Sequence, residues 1–158
     1  MTENATPRPR TSGTRTSVTR SAPRAVARIA LGLALAGAGT THLTVAREEF
    51  QAQVPDWVPL NDDLVVLGSG VVEITLGVAL LVASKQRVLV GFVVAAFFIA
   101  IFPGNISQYV TKTDAFGLDT DQSRFLRLLF QPLLVLWALW ATGASTVLRR
   151  ALSRRRRY

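Results

Sequence analysis

The stretch LVVLGSGVVEITLGVALLVA, Leu64–Ala83, decides the fold. It is twenty residues long and carries one ionisable side chain, Glu73. At 1.5 Å per residue a helix of this length covers the roughly 30 Å hydrocarbon core of a bilayer. A charged group near the middle of such a helix costs about 2.5–3.5 kcal/mol on insertion scales, so it normally faces the interior of a bundle or a wet cavity. Working outward, three further apolar runs of spanning length are found at 25–46, 88–108 and 125–148. The expected fold is therefore all-α: a membrane-embedded four-helix bundle over 25–148, preceded by a disordered basic tail over 1–24 and followed by a basic tail over 149–158.

The composition agrees. Of 158 residues 49% are hydrophobic, and they are gathered in long blocks; this places the chain in the membrane class. The net charge of +8 does not call for nucleic acid, because the cations cluster beside the spans. Arg24 and Arg28 open the first span, Lys85 and Arg87 fill the turn between the second and third, and Arg149, Arg150 and Arg154–Arg157 follow the fourth. With four spans these groups share one side, and the acidic loops lie on the other. By the positive-inside rule both termini are expected in the cytoplasm, with the protein multi-pass in a bacterial plasma membrane. Ala34-Leu35-Ala36 resembles a signal-peptide cleavage site. Cutting there would break the charge pattern, and the apolar stretch continues to Ala46. The chain has no cysteine, so any electron chemistry would belong to a cofactor or partner.

The third span has an uninterrupted apolar part, 88–102, that covers only about 22 Å. It must borrow from Pro103-Gly104-Asn105, where the helix is expected to break near the outer boundary. Counting inward at 1.5 Å per residue puts His42 about 6 Å deep, Glu73 about 13 Å, Asn105 near the boundary, and Arg127 and Gln131 about 4–10 Å deep. Polar groups of four helices thus share one leaflet, whereas the cytoplasmic half is apolar apart from small hydroxyls and Arg28, which can snorkel. The candidate ligand-binding residues are His42, Glu73, Asn105, Arg127 and Gln131. Glu73 also admits a structural reading as a partner of Arg127 or His42. One histidine and one deep glutamate make no metal site, and no catalytic residue is assigned. Val54-Pro55-Asp56-Trp57-Val58-Pro59 is too short and proline-broken to span, and is expected to lie over the pocket as a cap.

Several elements in this order resemble the DoxX-like family of small four-helix bacterial membrane proteins. They are Gly39 with His42, Val54-Pro55-x-Trp57-x-Pro59, Ser69-Gly70-Val71-x-Glu73, Phe102-Pro103-x-Asn105-Ile106, and Arg127-Leu128-x-x-Gln131 with Trp137. The chain departs from the Arg-Leu-Pro-x-Gln pattern by carrying Leu129-Phe130 before the glutamine. The resemblance implies relatives that include a quinone-linked oxidoreductase subunit and redox-associated accessory proteins. The expected function is a redox-associated accessory or small-ligand protein, with a quinone as candidate cofactor and the bilayer and a membrane redox subunit as candidate partners. Two alternatives stay open: a small transporter or proton-coupled permease, which would need a homo-oligomer to form a path, and a structural subunit without ligand.

Overall fold

The computed structural model describes residues 22–155. Its helices are α1 (Ala22–Leu43), α2 (Arg47–Gln51), α3 (Asp62–Val82), α4 (Arg87–Thr111), α5 (Asp121–Thr142) and α6 (Ala144–Arg155), with no strand among the described residues. Four of them, α1, α3, α4 and α5, are long and apolar enough to cross a membrane. They also present large apolar side chains outward, among them Leu33, Val71, Val78, Leu89, Ile99 and Leu133. In water such a surface would drive association. Facing lipid it costs nothing, and the chain is an integral membrane protein of the four-helix type.

Local signals set the helix ends. Pro23 occupies the first turn of α1, where its missing N–H is not needed. Ala22, Pro23 and Arg24, expected in the tail, are thus helical, and the rest of that tail lies outside the described residues. Asn61 caps α3 by accepting from the backbone N–H groups of Asp63 (3.0 Å) and Leu64 (3.4 Å). Thr120 and Ser123 cap each other reciprocally at the start of α5. Gly143, at φ 83°, takes the left-handed conformation that ends α5. The fourth apolar run is therefore divided: its last residues begin α6, which continues through residues expected in the C-terminal tail as far as Arg155, and the remainder of that tail lies outside the described residues.

One expectation about α4 is corrected. The helix does not break at Pro103-Gly104 but runs to Thr111. Pro103 removes the donor that would reach the Ile99 carbonyl, and α5 braces the same stretch of α4: the Gln131 side-chain amide donates to the neighbouring Phe98 carbonyl at 2.6 Å. Because α4 is longer than expected, Asn105 lies about 9 Å from its end instead of at the boundary.

The bundle is not evenly knit. α1 packs most extensively on α3, and α4 on α5, while α1 and α5 join the two pairs. α3 and α4 are consecutive in the chain, yet touch far less. The α1–α3 seam is built on glycines two turns apart in each helix. A Cβ on Gly39 would lie 2.5 Å from the Gly70 carbonyl oxygen, and one on Gly77 would lie 2.7 Å from that of Gly32. Such faces let backbones touch, which matters in lipid because association there rests on packing and not on expelling water. Leu31, Leu35, Leu80, Val94, Phe98 and Ala138 form the adjoining core.

Arg28 does not snorkel. It is buried and donates to the carbonyls of Leu80 and Leu81 and to the Ser84 hydroxyl, across from α1 at the C-terminus of α3. Those carbonyls have no intrahelical donor, and a cation there also opposes the helix dipole.

Candidate functional site

At the opposite end from Arg28, the space between α3 and α4 holds a cavity of about 510 Å³. Leu35 and Ala38 of α1, Val65 and Ser69 of α3, Ile101 of α4 and Leu134 of α5 are among its walls. Val54, Pro55, Trp57 and Val58 close it from above, so the proline-broken segment does lie over the pocket.

Four of the five candidate residues line this cavity: His42, Glu73, Asn105 and Arg127. Gln131 does not line it. It is buried in the α4–α5 contact, where its Oε1 accepts from Asn105 Nδ2 at 3.0 Å while its Nε2 holds the Phe98 carbonyl. Gln131 thus positions Asn105 and ties α5 to α4 at once.

Glu73 is 5% exposed, and its Oε2 lies 3.0 Å from His42 Nδ1. That proximity is not a well-aligned hydrogen bond. The same nitrogen is 2.8 Å from the Ala38 carbonyl oxygen, one turn earlier in α1, and a ring nitrogen has a single proton to give. The carbonyl has the better alignment. Glu73 Oε2 is left buried without a hydrogen-bond partner among the described residues. Leaving such an acceptor without an aligned hydrogen bond costs about 1–3 kcal/mol, although the His42–Glu73 contact at 3.0 Å is the pairing that a structural reading of this carboxyl expects. It does not pair with Arg127, whose Nη2 donates to Gln53 Oε1 at 2.9 Å and whose guanidinium sits 4.9 Å from the centre of the Phe116 ring.

Gln53, Phe50 and Phe116 escaped the sequence reading. Gln53 follows α2 and is 9% exposed; its backbone approaches α4 where Gly104 leaves room, since a Cβ there would meet the Gln53 carbonyl oxygen at 3.3 Å. Its Nε2 is the second buried polar atom in the cavity wall without a partner among the described residues. Phe50 stacks on the His42 ring with centroids 3.3 Å apart, and Phe116 meets Phe50 edge-on at 4.5 Å. Imidazole, two phenyl rings and guanidinium thus form a continuous stack that ties both long loops together above the cavity. Phe116 is held at φ 59°, and its N–H donates to the Glu49 carboxylate. A non-glycine residue at positive φ is uncommon, and here the stack and this bond hold it. The only local cue was the neighbouring Gly117, itself at φ 67°.

Two further networks fix the loops. Arg47 donates through two nitrogens to the Asp63 carboxylate, which also accepts from Gln51 at 2.6 Å, and this pairing holds the Arg47 guanidinium above its ordinary pKa. Arg124 is buried and bonded to Asp121 at 3.0 Å and to Asp114. Among the described residues no three histidine or carboxylate side chains converge in a way that could hold a metal ion. The arrangement can offer hydrogen bonds to a polar head and apolar walls to a body.

No curated protein and no solved structure matches the chain. One family model does, over residues 31–142, a range that contains every residue lining the cavity. The chain belongs to that family, described as a domain of unknown function, DUF8561.

Proposed function

We propose that the protein binds a small amphipathic, quinone-like molecule in this cavity and serves as a non-catalytic accessory of a membrane redox system, in the manner implied by its DoxX-like motifs. In this reading it sits in a bacterial plasma membrane with both termini in the cytoplasm and the cavity in the outer leaflet. The observation that carries the proposal is a cavity of about 510 Å³ whose largely apolar wall includes the polar side chains of His42, Glu73, Asn105 and Arg127. That volume lies within the range of small-molecule pockets, which combine apolar walls with a few placed polar groups. The slight α3–α4 contact offers a lateral path by which a membrane-dissolved molecule enters.

The test is solvent extraction of protein purified in mild detergent, with mass spectrometry of the extract, followed by titration of a short-chain quinone. Trp57 and Trp137 line the cavity and supply a fluorescence signal. Saturable binding that weakens at least tenfold in Glu73→Met is expected; a tenfold change corresponds to about 1.4 kcal/mol, within the range for one buried hydrogen bond. An empty extract together with the absence of saturable quenching rejects the proposal. Reporter fusions in the 44–61 and 112–120 loops check the orientation, and a cytoplasmic signal from either loop overturns it.

A further inference from the structure

α5 is 22 residues long and by itself covers about 33 Å, more than the roughly 30 Å of hydrocarbon, so α6 begins where the membrane ends. Trp140, exposed one turn before that end, is a residue type that settles at the headgroup level. Gly143 then turns the chain, and the Thr146 N–H donates to the Gly143 carbonyl to open a new helical ladder. On a period of 3.6 residues Ala144, Val147, Leu148, Ala151 and Leu152 share one face of α6, while Ser145, Thr146, Arg149, Arg150 and Ser153 share the other. Ala144 is fully buried where α6 leaves the bundle, whereas Val147, Leu148 and Leu152, further along the same face, are exposed. The charges around this end have one sign. Arg149, Arg150 and Arg154 on α6 and Lys85 and Arg87 before α4 are exposed, and none forms an ion pair among the described residues. Every described aspartate and glutamate other than Glu73 lies toward the long loops.

We infer that α6 is an interfacial helix that docks on anionic phospholipid, with its apolar face in the acyl boundary beside the bundle and its arginines on the headgroup phosphates. The bilayer is the partner already in place, because α5 delivers α6 to its surface. A short helix with one apolar and one cationic face lies in that plane, where each face meets the medium it prefers. Guanidinium groups bind phosphate oxygens in pairs, and every cation near the surface draws headgroups of net negative charge. A second copy of the chain would bring the same arginines against these, and like charges oppose that contact. The inference concerns the end of the bundle away from the cavity and does not depend on ligand binding there.

The experiment uses the full-length protein in nanodiscs of phosphatidylcholine and phosphatidylglycerol in equal parts, read by electron paramagnetic resonance. The chain has no cysteine, so Ala151→Cys and Ser153→Cys each take a single nitroxide label, one on either face of α6. The label at 151 is expected to collide more with oxygen, which concentrates in lipid, than with a water-soluble nickel chelate, and the label at 153 is expected to do the reverse. In the unlabelled protein, spin-labelled phosphatidylglycerol is expected to be held about fivefold more than spin-labelled phosphatidylcholine, the equivalent of about 1 kcal/mol for one arginine at the surface. High salt should weaken that preference. The triple variant Arg149→Gln, Arg150→Gln, Arg154→Gln should reduce it by about half, since Lys85 and Arg87 remain. Equal exposure of both labels to the nickel chelate overturns the inference, because α6 would then stand in water. Spin–spin broadening at 151 with shielding from both reagents also overturns it, since a second copy would then cover the apolar face. Equal retention of the two lipids by the unaltered protein, or an undiminished preference in the triple variant, overturns the assignment of anionic headgroups to α6.

Discussion

The two halves of the bundle handle burial in opposite ways. Toward Arg28, helices meet through glycines and aliphatic side chains, and the main buried polar groups are bonded. Thr142 Oγ1 donates to the Ala138 carbonyl at 2.7 Å, Trp137 Nε1 to that of Ala27 at 3.1 Å, and Arg28 to the end of α3. Toward the long loops, the buried atoms without partners are Gln53 Nε2, Glu73 Oε2 and Arg124 Nε, all three in this half among the described residues. Natural interiors leave few such atoms, and their gathering at one end needs a cause. Two of the three belong to residues that line the cavity. One half is thus organised for packing, and the other carries a polar cost consistent with a site that receives something.

The largest effect should come from the glycine seam between α1 and α3, which runs through both halves. Gly39→Val places side-chain atoms against the Gly70 backbone and the Glu73 Cβ, and is expected to cost about 3 kcal/mol or to prevent folding. Gly37→Val, with nothing within 4 Å of its added Cβ, should change stability by less than about 0.5 kcal/mol. Unfolding in mixed micelles measures both, and similar losses would dissolve the idea of a glycine seam.

Next in size is a matched pair. Arg28→Met strips the donors from the α3 carbonyls and should cost about 2 kcal/mol, whereas Glu73→Met, close in volume, removes an unsatisfied acceptor and should leave stability unchanged or raise it by about 1 kcal/mol. A loss in Glu73→Met as large as in Arg28→Met would make the carboxyl a structural group and erase the contrast between the halves.

Phe116→Ala breaks the stack over the cavity and is expected to cost about 1 kcal/mol. Its sharper readout is hydrogen exchange, which should quicken in 112–120 and in α2 and stay unchanged in α1 around Leu31. The smallest effect belongs to Arg47→Gln. The Arg47–Asp63 pair is well formed but solvent-exposed, so water and salt screen it and the unfolding temperature should not move measurably. A marked drop would mean that the loops are held from their rim and not by the aromatic stack.

Much of this was legible in the chain. Apolar run length announces four spans, because a bilayer imposes the same minimum on every helix that crosses it. The expense of ionisation in hydrocarbon singles out Glu73, and counting residues brings it to the depth of His42, Asn105 and Arg127. Gln131 was placed at the right depth but on the wrong side of the problem, since its role arises only where α5 crosses the proline turn of α4. The break expected at Pro103 did not occur: α4 runs on to Thr111 while α5 braces it through Gln131, and no local rule can foresee a contact thirty-three residues away.

By itself the sequence determined the four spans and the one carboxyl requiring an explanation, both of which follow from local chemistry and the thickness of the membrane. Tertiary structure alone decided which glycines touch, that α3 and α4 part to leave a cavity, and that Gln53 joins Glu73 among the residues of its wall. Those outcomes depend on how separate segments meet, and contact between segments is set by shape and hydrogen-bond geometry that residue spacing does not carry.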